Sequence, residues 1–160
     1  MMRLIRFLTL PLLICFLIAC ATSELTQDEK SEPAVVETHA LFDAWNDASI
    51  SNAAVAKLIK QADIMIKYKQ WDDAQGKLER TLRVATNYAP AWSRLSWLSL
   101  RAAKHNKAIQ LAHRSNTHTQ SSQLQRLNWS FIRDANKLLG NSDAATAASK
   151  MIDRLEGGGL

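Results

Sequence analysis

The chain has 160 residues, 47% of them hydrophobic and 22% charged, with a net charge of +5 at neutral pH. That length suffices for one domain with a core of its own, which excludes the small folds that need covalent staples. The basic total conceals an asymmetry: residues 21–47 carry seven acids against Lys30, a net −6, and residues 48–160 carry 17 Lys and Arg against eight acids, a net +9.

Arg3 and Arg6 precede an apolar run of 13 residues, Phe7 to Ala19. As a helix this run reaches about 20 Å, short of the roughly 30 Å of a bilayer's hydrocarbon core. Basic, then apolar, then small and polar residues (Ala21-Thr22-Ser23-Glu24) is the order of an export signal, so residues 1–19 are set aside from the fold. Two cleavage sites fit. Ala19-Cys20-Ala21 has the small-x-small pattern that would be cut after Ala21, releasing a soluble chain without cysteine. Leu17-Ile18-Ala19-Cys20 resembles the lipobox of bacterial lipoproteins. That resemblance implies a diacylglycerol on the Cys20 thiol, cleavage before Cys20 and an acyl chain on the new amine, with Cys15 lost in the signal. No disulfide is then available, and the remaining 141 residues stand on packing alone. Ala21, where aspartate is the familiar inner-membrane retention signal, implies by the same resemblance the periplasmic face of the outer membrane. The acyl groups are the only non-protein groups expected; no cofactor or metal is.

Residues 20–33 form the acidic tether that would follow the lipid. Thr22 to Pro33 is polar and free of aromatics, and extends to at most about 40 Å. Beyond it strand signals give way to helical periodicity. A helix over residues 34–47, opened by Pro33, carries Val36, Leu41, Phe42 and Trp45 inward. The next spans about Asn52 to Lys69 with Ser49 or Ser51 as its cap, and Asp72-Asp73-Ala74-Gln75 has capping-box spacing for a third, to about Thr86. Four more follow: Pro90 to Ala103, Asn106 to Asn116, Ser122 to Leu139, and Ser142 to Glu156, where three glycines begin the tail of residues 157–160. The fold class is all-α, with about seven helices.

Self-similarity decides between a closed bundle and an array. Leu58, Ala62 and Ala74 are followed 34 residues later by Trp92, Ser96 and Ala108. Small residues let paired helices approach, and the large ones fill the wedge between neighbours. The stretches "IKYKQWDDAQGKLERTL" and "AWSRLSWLSLRAAKHNKAIQLA" resemble the tetratricopeptide repeat, whose period is the same. A third copy reads as Trp129, Ile132, Arg133 and Asn136 followed by Ala145 and Ser149. It departs at Arg133, where a small residue is expected, and Trp129 follows Trp92 by 37 residues, which asks for three extra residues around Thr117 to Ser122. The resemblance covers residues 52–156 and implies a helical-hairpin array. The helix over 34–47 then reads as a cap on its open N-terminal face, since such arrays need about three repeats and closed ends.

Function in such an array comes from surfaces. By position, the first helices of the hairpins offer a partner-binding groove through Lys60, Asp63 and Lys67, then Arg94, Trp97 and Arg101, then Phe131 and Asp134. Trp97 between two arginines suits a carboxylate-bearing partner; as plain core with solvated neighbours it would bind nothing. The asparagines of the family's carboxylate clamp are missing from these positions. No enzyme is expected, because His39, His105, His113 and His118 have no metal spacing and no nucleophile or phosphate-loop motif occurs. Export also argues against nucleic acid as partner. Together these features imply a membrane-anchored periplasmic adaptor for an envelope protein of unspecified identity. The alternative is a binder of an anionic envelope ligand such as peptidoglycan through the basic face.

Overall fold

A computed structural model describes residues 38–46, 50 and 52–157. The signal and lipobox with Cys20, the tether, Pro33, Val36, Ser49, Ser51 and residues 158–160 lie outside the described residues. Within them the protein is all-α, with seven helices: α1 (Thr38–Asn46), α2 (Ala53–Lys67), α3 (Trp71–Val84), α4 (Ala89–Arg101), α5 (His105–Thr117), α6 (Ser122–Leu138) and α7 (Ser142–Gly157).

Local chemistry sets the helix starts. Asn52 caps α2, its Oδ1 accepting from the amides of Ala54 and Val55 at 2.9 and 3.3 Å. Pro90 sits in the first turn of α4, where a missing N–H costs nothing. Ser121 caps α6 by accepting from the Leu124 amide at 3.2 Å. The capping box expected at Asp72 is corrected: α3 already begins at Trp71, so Asp72 and Asp73 lie in its first turn, at the positive end of the helix dipole.

Three hairpins follow α1, and one turn joins each pair. The turns are centred on left-handed residues Lys69 (φ 58°), Ala103 (φ 55°) and Gly140 (φ 75°). In each, the next amide reaches back five residues: Gln70 to Met65, Lys104 to Ser99 and Asn141 to Asn136, at 2.9, 2.8 and 2.9 Å. This is the Schellman closure of a helix C-terminus. The amides of Ala74, Ala108 and Ala145 then accept the same role in starting the second helix, bonding to the carbonyls of Gln70, Lys104 and Asn141. The small residues Ala62, Ala74, Ser96 and Ala108 are fully buried, and the Ser96 hydroxyl donates to the Ala108 carbonyl at 2.8 Å, a bond possible only where α4 and α5 nearly touch.

The three extra residues of the third hairpin are not in the loop. The connections before α4 and α6 both run four residues, 85–88 and 118–121, and the addition is an extra helical turn at the front of α6, 17 residues long against 13 for α4. Leu124 in that turn is buried, so the insertion extends the core rather than the linker. Arg133, at the expected small position, is half-buried, and Ala135, Ala145 and Ala148 supply the small buried residues of this hairpin instead.

The hydrogen bonding of α4 fits its place at the centre, in contact with α1, α3, α5 and α6. Eleven of its 13 residues are buried, four of them Ser or Arg, and each of those four polar side chains has a partner. The placement of α1 differs from the cap expected for residues 34–47: it packs on α4 and α6, across the first helices of the second and third hairpins. Leu41, Ala44 and Trp45, spaced i, i+3 and i+4, are its buried face. A nine-residue helix with one apolar stripe gains more by burying it against two helices than by covering a single hairpin's edge.

Candidate partner-binding groove

The first helices of the hairpins, α2, α4 and α6, share one face, and α1 lies on it. Trp45 is fully buried there. Its Nε1 donates to Ser93 Oγ at 2.9 Å, the Arg94 guanidinium lies 4.8 Å above its ring, and Trp97 meets it edge-on at 5.9 Å. Trp97, 6% exposed, meets Trp71 edge-on at 5.7 Å. Arg101 closes the row, with its guanidinium 4.6 Å from the Trp71 ring and 5.2 Å from that of Trp97. Arg101 stands over the Trp97 ring while Arg94 lies over Trp45 instead, so the platform expected of Trp97 and two arginines is occupied from within the chain.

Arg94 and Asp63 are brought together as well. Arg94 Nε and one terminal nitrogen donate to the two Asp63 oxygens at 2.8 and 2.9 Å, and the other terminal nitrogen donates to the Pro90 carbonyl at 3.2 Å. The guanidinium is entirely buried and the carboxylate largely so. A forked pair of this kind ties α2 to α4 and leaves neither charge for a partner. Beside it, burial pushes the Tyr88 phenol above its usual value of 10; Arg94 opposes the shift and Asp63 adds to it.

Phe131 is core, 1% exposed on α6, and Asp134 accepts from Arg133 Nε at 2.8 Å, so these two do not extend the binding face as expected. Lys60 and Lys67 are exposed. Both line a cleft of about 390 Å³ between α1 and α2, floored by Phe42, Ile50, Ile59 and Ile64. Lys67 Nζ stands 5.1 Å from the Phe42 ring. Neither lysine has an ion-pair partner among the described residues. This cleft is the part of the face that α1 leaves open.

A second hollow, about 310 Å³, lies on the other side of α4, between α3 and α5. Trp92 and Leu111 line it, with Arg83, Lys107 and Arg114 at its rim, and the Arg114 guanidinium stacks 4.6 Å from the Trp92 ring. Sequence reasoning did not find it, because Trp92 read as a wedge between neighbours. It also missed Ser93 as the acceptor for a tryptophan 48 residues away, a pairing that no spacing encodes. Among the described residues no group of three His, Cys, Asp or Glu could hold a metal ion, and no helix is long and apolar enough to cross a membrane. No family model matches the chain, and neither a curated protein nor a solved structure matches it.

Proposed function

We propose that this chain is a lipid-anchored scaffold of the outer membrane, facing the periplasm, whose hairpins are of the tetratricopeptide type and bind an envelope protein on the α2–α4–α6 face. The observation that carries this reading is the cleft between α1 and α2. Apolar residues beside two lysines that have no ion-pair partner among the described residues suit a protein segment with a hydrophobic anchor and acidic flanks. The three repeated turns support the repeat reading, and the Leu17-to-Cys20 sequence supports the anchor.

Cross-linking and capture from intact membranes tests it, comparing the native protein with a Lys60→Glu/Lys67→Glu variant. The native protein retains a protein partner that the variant loses; equal recovery by both refutes the binding face. In the same preparations Cys20→Ser removes fatty-acid labelling, and retained labelling refutes the lipobox.

The hollow beside Trp92 favours a second reading, an anionic envelope ligand such as peptidoglycan, because three cations rim it against Glu79 alone. Sedimentation with purified cell wall that falls steeply with salt, and falls again in Arg83→Glu/Lys107→Glu, supports this alternative. Capture of a protein partner that survives high salt favours the scaffold.

A further inference from the structure

The surface beneath α1 sets buried polar groups among the apolar core residues. Ser93 and Arg94, which receive Trp45, are polar and fully buried, and Asp63 completes the floor. Water that replaces α1 finds a serine hydroxyl and a forked ion pair to hydrate beside the Trp97 ring, so the exposed floor is not wholly apolar. One hydrogen bond, Trp45 to Ser93, ties α1 to the other helices among the described residues. Its anchors fall at i, i+3 and i+4, the pattern by which a separate amphipathic helix binds a groove. Finally, among the described residues Lys60 and Lys67 have no ion-pair partner on α1, and Lys67 stands over the Phe42 ring.

We propose that α1 is a resident ligand of the groove, and that the partner is an amphipathic helix with an aromatic anchor like Trp45 and a carboxylate aimed at Lys60 and Lys67, which takes its place. The proposal rests on the scaffold reading and names its partner's chemistry. A ligand shifts an equilibrium only by its differential affinity, and a carboxylate on the two lysines is a contact that the described residues of α1 do not make. The incoming helix must also outcompete α1, held by a short linker at an effective concentration on the order of millimolar. Weakening the hold of α1 therefore raises the affinity for any helix that fits.

The test is a labelled synthetic peptide of residues 36–50 carrying Asn46→Glu, since Asn46 lines the cleft with both lysines. It is titrated by fluorescence anisotropy into the full-length protein, native and Trp45→Ala. The expected result is binding to Trp45→Ala at least about tenfold tighter than to the native protein, because a lost buried tryptophan costs α1 more than that factor. Lys60→Glu/Lys67→Glu in the Trp45→Ala background should abolish it. No binding to a Trp45→Ala protein that keeps its helical circular dichroism overturns the proposal. Should Trp45→Ala fail to fold, native-state hydrogen exchange on the unaltered protein decides. Amides of α1 that open independently of α4 support exchange of the helix, and a single common opening of both overturns it. Peptide binding that fails while the membrane capture succeeds removes the exchange of α1 and leaves the scaffold.

Discussion

Arg94 shows how a residue's position can be legible when its partner is not. The 34-residue period sets Arg94 and Asp63 on the first helices of adjacent hairpins, yet the period gives no pairing, and the two saturate one another across 31 residues. Removing one member leaves the other charge uncompensated. Asp63→Ala strands a fully buried guanidinium and should destabilise the protein by about 3 kcal/mol, measured by urea denaturation. An effect under about 1 kcal/mol would mean that water reaches Arg94 in solution. Tyr88 reports on the same spot. Its raised pKa means that the folded state favours the neutral phenol, so this contribution to stability is complete below the ordinary value of 10 and is lost as pH rises through the higher folded value. In a Tyr68→Phe variant, which leaves Tyr88 as the only tyrosine, ultraviolet titration should show a midpoint above pH 10. A midpoint at or below 10 would contradict the burial.

At the level of elements, the hairpins were readable because close helix approach demands small residues, and Ala62, Ala74, Ser96 and Ala108 declare it at fixed spacing. The repeated turn was less readable, since its left-handed position is filled by Lys69 and Ala103 as well as by glycine. Packing of the paired helices imposes a conformation those side chains disfavour, at about 1 kcal/mol or more each. Gly140 bears no such cost. A Cβ there would meet no atom within 4 Å, so Gly140→Ala measures the backbone term alone. It should lower stability by about 1–2 kcal/mol; no change would show that the third turn relaxes. The helix α1 was legible as a helix and as amphipathic, but not in its placement. An apolar stripe states that a surface will be buried, not which surface.

For the molecule as a whole, burial is graded outward from α4. It is enclosed by α1, α3, α5 and α6, whereas α7, at the end of the array, buries only Ala145 and Ala148 fully. In a stack where each unit leans on its neighbours, the outermost unit opens first. Amide exchange should accordingly be slowest in α4 and faster in α7, and equal protection across both would indicate one all-or-none unit. The extra turn of α6, hidden in the sequence as three residues apparently in a loop, lengthens one of the two helices on which α1 packs.

The placement of α1 also has a mechanical side. Among the described residues α1 comes first in the chain, so tension applied at its N-terminal end meets Trp45 and its bond to Ser93 before any hairpin. Peeling a nine-residue helix off one end at a time breaks its contacts in succession, which takes far less force than shearing a hairpin whose bonds share the load. A pull on the leading segment would bare Ser93, Arg94 and Trp97 while the repeats behind them stayed folded, so the groove's availability becomes a function of strain in the chain that carries it.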